Sequence, residues 1–88
     1  MAEHHFMYDE TEDTKTRFVG FISERRRYDL AITMSTRFYG KLLVHDLQTG
    51  RAAIIGSDDL KEEGYLESAF QLSPEEAEEL HSFLEQLV

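Results

Sequence analysis

Tyr28-Asp29-Leu30-Ala31-Ile32-Thr33-Met34 is the most regular stretch of the sequence. Tyr28, Leu30, Ile32 and Met34 alternate with Asp29, Ala31 and Thr33, and a period of two puts the four large apolar side chains on one face of an extended chain. The stretch is a strand with a buried face. Upstream, Thr16 to Ser23 contains Arg17-Phe18-Val19-Gly20-Phe21-Ile22, whose aromatic and β-branched residues suit a pleated surface. This is the first strand, linked to the second through Glu24, Arg25 and Arg26. Downstream, Ser35-Thr36-Arg37 turn the chain into a third strand read as Phe38 to Leu47, with Gly40 as a bulge or close-packing point. Asp46-Leu47-Gln48-Thr49-Gly50-Arg51 reads as a tight hairpin in which Gly50 takes the left-handed conformation, and Arg51 to Gly56 is the fourth strand. Links this short make successive strands antiparallel neighbours, because a parallel return needs a crossover of about a dozen residues. The expected order is 1-2-3-4.

The apolar pattern raises a packing question. Strand one places Phe18 and Ile22 on one side and Val19 and Phe21 on the other, strand three opposes Leu42 and Val44 to Tyr39 and Leu43, and strand four opposes Ile54 to Ile55. Both faces of the sheet ask for cover. In the tail, Ser73-Pro74-Glu75-Glu76 is a helix start, with Ser at the cap, Pro at the first helical position and Glu placed to close a capping box. Ala77, Leu80, Phe83, Leu84 and Leu87 follow at helical spacing, which predicts a helix from Pro74 to Leu87. Between them, Asp58 or Asp59 caps a helical piece carrying Leu60, ended near Gly64, before Tyr65, Leu66, Ala69 and Phe70. The fold class is α+β, a four-stranded antiparallel meander followed by one or two C-terminal helices. One helix covers one face only. The second face is left to residues 58 to 70 with the lead-in from Met1 to Lys15, or to another copy of the chain.

With 88 residues the chain is expected to be a single domain, residues 1–88: a loosely ordered acidic lead-in over 1–15, the sheet over 16–56 and an acidic helical tail over 57–88. Ten aromatics and 41% apolar residues argue for a folded chain. There is no cysteine, which removes disulfides, thiolate metal sites and a cysteine nucleophile from consideration. The start is acidic and lacks the pattern of a signal peptide, and no apolar run is long enough to span a bilayer, so the cytoplasm is the expected location and no membrane partner is expected. The net charge of −9 divides unevenly, −4 over residues 1–15, +4 over 16–56 and −9 over 57–88. The basic sheet either balances its own acidic tail or meets the tail of another copy.

Two groups of side chains carry chemistry worth testing. Arg25, Arg26 and Arg27 sit at a hairpin tip, where guanidinium groups grip phosphate, although the same residues serve as a solvated turn that discourages edge pairing. Phe18, Phe21, Tyr28, Phe38 and Tyr39 add aromatics to this basic stretch, the material of a nucleic-acid platform. A chain with an isoelectric point of 4.7 repels polyanions, and aromatics in strands mostly pack a core, so nucleic acid is not the expected partner. His45 and Asp46, with Asp58 and Asp59, offer a divalent metal imidazole and carboxylate ligands and would equip a metal-dependent or hydrolytic enzyme. Their spacing matches no metal signature, and the aspartates equally serve a hairpin and a helix start. No nucleophile elbow, phosphate-binding loop or dinucleotide fingerprint is present, and neither a catalytic residue nor a cofactor is expected.

The phrases Thr16-Arg17-Phe18-Val19-Gly20-Phe21, Tyr39-Gly40-Lys41, Asp46-Leu47-Gln48-Thr49-Gly50-Arg51, and Gly56-Ser57-Asp58-Asp59-Leu60 through Gly64-Tyr65-Leu66-Glu67 resemble a family of small cytosolic proteins of low-GC Gram-positive bacteria, which carries the label of a domain of unknown function. The resemblance covers nearly the whole chain. It implies a bacterial, stand-alone domain and brings no activity, cofactor or site residue. The expectation is a non-enzymatic interaction or regulatory domain, a homo-oligomer associating through its sheet, with a protein partner as the further possibility.

Overall fold

A computed structural model describes residues 2–88. Strands β1 (Lys15–Ile22), β2 (Arg27–Met34), β3 (Leu42–Asp46) and β4 (Ala52–Ile55) form one antiparallel sheet in the order β1-β2-β3-β4. The helices α1 (Ser57–Lys61), α2 (Tyr65–Phe70) and α3 (Pro74–Leu84) follow, so the chain has the α+β architecture read from its pattern. The alternation of the second strand sets the register: Val19 pairs with Leu30, Phe21 with Tyr28, Ile32 with Val44 and Leu42 with Ile55. Paired residues share a face, so these side chains line the inner side of the sheet. There Tyr28, Leu30, Ile32, Val44 and Ile55 pack against Leu66, Phe70, Leu72, Ala77, Leu80 and Leu84. Phe21 stacks on Tyr28, with ring centroids 4.8 Å apart, and meets Phe83 at the same distance. This is a two-layer sandwich of sheet and helices around one core.

Two boundaries differ from the sequence reading. The third strand does not begin at Phe38: Thr36–Phe38 form a 3-10 turn whose N-cap Ser35 hydroxyl accepts the Arg37 N–H at 3.1 Å. Tyr39 (φ 52°) and Gly40 (φ 83°) are then both left-handed, and two such residues in succession cannot continue an extended chain. β3 therefore starts at Leu42. At the other end α3 stops at Leu84, and the expected continuation to Leu87 is a tightened turn, with Gln86 N–H donating to Phe83 C=O (3.2 Å) and Leu87 N–H to Leu84 C=O (2.9 Å). The residues 58–70 segment resolves into two short helices separated at Gly64, which adopts φ 79°.

The packing question has a definite answer within one chain. α1, α2 and α3 all lie on the inner face, because Leu66 and Phe70 of α2 share a core with Leu80 and Leu84 of α3. The lead-in does not roof the outer face either. Its Phe6, Met7 and Tyr8 remain exposed, and it is tied instead to the 3-10 turn, where Arg37 binds Glu10 at 2.7 Å and Glu12 at 3.1 Å. Neither proposed roof covers the second face.

Candidate functional site

The hairpin-tip arginines have separate destinations. The Arg26 guanidinium turns inward, 3.2 Å from Asp46 and 3.0 Å from the Gln48 side-chain oxygen, with its carbon 4.8 Å above the Tyr28 ring. Its partner Asp46 is only 3% exposed, and the second carboxylate oxygen accepts the Gln48 N–H at 3.0 Å, closing the β3–β4 turn. Arg27 pairs with Asp29 at 2.9 Å. The amide of Gln48 and this guanidinium hold the Asp29 carboxyl below the usual carboxylate range. Arg25 contributes its backbone N–H to Glu79 at 3.1 Å. The three residues thus do not converge on one ligand.

The candidate metal ligands are also dispersed. His45 and Asp46 are neighbours in β3, so their side chains leave opposite faces: His45 is exposed between Ala31 and Ala52, while Asp46 is buried beside Leu30. Asp58 and Asp59 belong to α1, where both bind Lys41, at 3.2 and 3.0 Å, and Asp59 also accepts the Gly56 N–H at 2.8 Å. The Lys41 ammonium holds Asp58 below its ordinary range, and in return the aspartates raise Lys41. Among the described residues no group of three or more His, Asp or Glu side chains is placed to hold a metal ion.

One further polar cluster locks the helical layer onto the sheet. The buried Tyr28 hydroxyl lies 2.8 Å from both the Glu79 carboxylate and the Glu76 carbonyl, and burial together with Glu79 pushes this phenol well above its ordinary value. Partial desolvation opposes ionisation of Glu79, but hydrogen bonds from Tyr28, Ser23 and the Arg25 N–H prevail and lower it. This is a dock between α3 and the β1–β2 hairpin.

What is left available is the sheet itself. The outer face presents Thr16, Phe18, Gly20 and Ile22 of β1, Arg27, Asp29, Ala31 and Thr33 of β2, Leu43 and His45 of β3, and Ala52 and Ile54 of β4. Its exposed apolar groups concentrate on the edge strand: Phe18 is 74% and Ile22 82% exposed. The two edges of the sheet are unlike. β4 has four residues, and its Ile54 carbonyl accepts the Tyr65 hydroxyl at 3.1 Å. β1 has eight residues, no proline, and among the described residues no strand or helix paired along its outer side.

The family model described as SAV0927-like matches residues 7–86, which spans the lead-in from Met7, all four strands and all three helices. The chain belongs to the SAV0927-like family. This description names no activity, cofactor or ligand. A search of curated proteins found no match for this SAV0927-like chain. Among the described residues no helix is long and apolar enough to cross a membrane.

Proposed function

We propose that this SAV0927-like chain is a small non-enzymatic interaction domain that works as a homo-oligomer, associating through its sheet. The observation that carries the reading is the uncovered outer face, with Phe18 and Ile22 in water while every helix packs on the other side. Exposed apolar side chains grouped on one element mark interaction surfaces in soluble proteins. Charge supports a like partner on this side: the acidic residues of 57–88 belong to the helical layer, whereas Arg27 and Asp29, the charged pair on the outer face, neutralise each other. The setting of this reading is the bacterial cytoplasm, as the resemblance to small cytosolic Gram-positive proteins implies. Light scattering after size exclusion, run from low to high micromolar concentration, is expected to give a mass rising above 10.3 kDa towards a multiple of it. A mass fixed at that of one chain throughout the series overturns the reading.

A further inference from the structure

The two edges of the sheet, the exposed pair on β1 and an acidic groove beside it bear on how two copies meet. We infer that the association runs edge to edge, β1 against β1 of a second copy, antiparallel and centred on Gly20, joining two four-stranded sheets into one. The inference rests on the self-association reading above and assigns its contact.

Unpaired strand edges are templates for another strand, and short, charged or covered edges are how proteins avoid this. β4 is short and has its Ile54 carbonyl occupied by Tyr65, so β1 is the edge left for pairing. Directly opposed residues of antiparallel strands share a face, so a symmetric pairing about a perpendicular axis must match residues of like parity. With Gly20 on the axis, Phe18 lies opposite the second copy's Ile22 on the outer face, and Val19 opposite its Phe21 on the inner face. Both pairs are apolar, and the two most exposed large apolar side chains of the sheet cover one another. The register also matches shape. A hollow lined by Gly20, Phe21, Ile22 and Arg27 adjoins Ile22, the residue that the incoming Phe18 would oppose, and an aromatic ring laid over a strand glycine compensates its missing side chain.

Charge selects the same register. Arg17 lies on the inner side, in register with Ile32, and has no ion-pair partner among the described residues. Pairing about Gly20 brings it opposite Ser23 of the second copy. Ser23, with Phe21, Glu24, Arg25, Glu75, Glu78 and Phe83, lines a groove of about 660 Å³ between α3 and the end of β1, in which carboxylates outnumber the one cation. An unpartnered guanidinium enters a groove with carboxylates on its rim and aromatic rings on its floor, and two-fold symmetry makes the contact twice. One strand-edge contact with these side chains lies at the small end of specific interfaces, so the dimer is expected at micromolar rather than nanomolar concentration.

The absence of cysteine makes a sharp test available. Phe18→Cys and Ile22→Cys are prepared as separate single variants, each checked for an unchanged circular dichroism spectrum, and mixed under mild oxidation. Opposed Cα atoms across an antiparallel pair are about 4.5–5.5 Å apart, inside disulfide range, and a slip of two residues moves them out of it. The expected result is a covalent dimer in the mixture and none in either variant alone. On the full chain, Arg17→Glu is expected to weaken dimerisation at least tenfold, and Glu78→Lys in the same chain to restore it. A wild-type dimer that persists without a cross-link in the mixture, or cross-links of Ala31→Cys alone, overturns the edge pairing and leaves self-association standing. A wild-type chain that is strictly monomeric overturns both.

Discussion

Single side chains divide into those that the fold consumes and those it leaves free. Asp46 is consumed, since it balances Arg26 and closes the β3–β4 turn from a buried position. Asp46→Ala leaves a guanidinium only 15% exposed without its counter-charge, together with a lost turn bond. A full buried-pair loss is discounted for that remaining exposure, and a decrease of about 2 kcal/mol in unfolding free energy is expected from urea titration. A change under about half a kcal/mol would mean that Arg26 finds water without cost. Glu79 gives a prediction in pH. Its folded carboxyl titrates below the ordinary value of about 4.3 for Glu, so its contribution is present above that value and is lost as pH falls through the lowered one. Thermal melts from neutral to acid pH should therefore show Glu79→Gln less stable than wild type at pH 7, with the gap narrowing on acidification. A gap that widens towards low pH contradicts the dock between Tyr28 and Glu79.

At the scale of elements, α3 is the best-specified piece. The Ser73 hydroxyl accepts the Glu76 N–H at 3.2 Å and the Glu76 carboxylate accepts the Ser73 N–H at 3.0 Å, so the capping box written in Ser73-Pro74-Glu75-Glu76 is closed in the structure. Ser73→Ala is expected to lower stability by about 1 kcal/mol, visible as a lower denaturation midpoint with an unchanged slope. The second strand and the Gly50 turn were legible for the same reason: each carries its signal within a few residues, by alternation or by the need for φ 79°. The start of the third strand was not. Phe38-Tyr39 has the composition of a strand, and only the conformations of Tyr39 and Gly40, which no propensity assigns to a tyrosine, place the break there. The site residues were less legible still. Arg25, Arg26 and Arg27 are consecutive in sequence yet point to three environments, and the destination of Arg26 depends on Asp46, which is twenty positions away. The free edge of β1 was half visible. Its mixed apolar faces asked for cover on both sides, but the bond from Tyr65 to the opposite edge at Ile54 arises from how α2 packs.

Over the whole molecule, the uneven charge becomes a division into layers. The acidic tail forms the helical layer, and its Asp58 and Asp59 are spent on Lys41 of the same chain, so part of the basic charge of residues 16–56 is balanced internally. Among the described residues Lys15 and Arg17 have no ion-pair partner, and they lie on the same edge strand as Phe18 and Ile22. An interaction domain built this way needs no catalytic group. In the proposed pairing specificity lies in a register, and register is fixed when apolar pairs and charges agree on it. Sedimentation equilibrium of the wild-type chain at high micromolar concentration, beside the Phe18→Asp variant, is expected to give twice 10.3 kDa for the former and 10.3 kDa for the latter. A wild-type mass of one chain at that concentration would contradict the account.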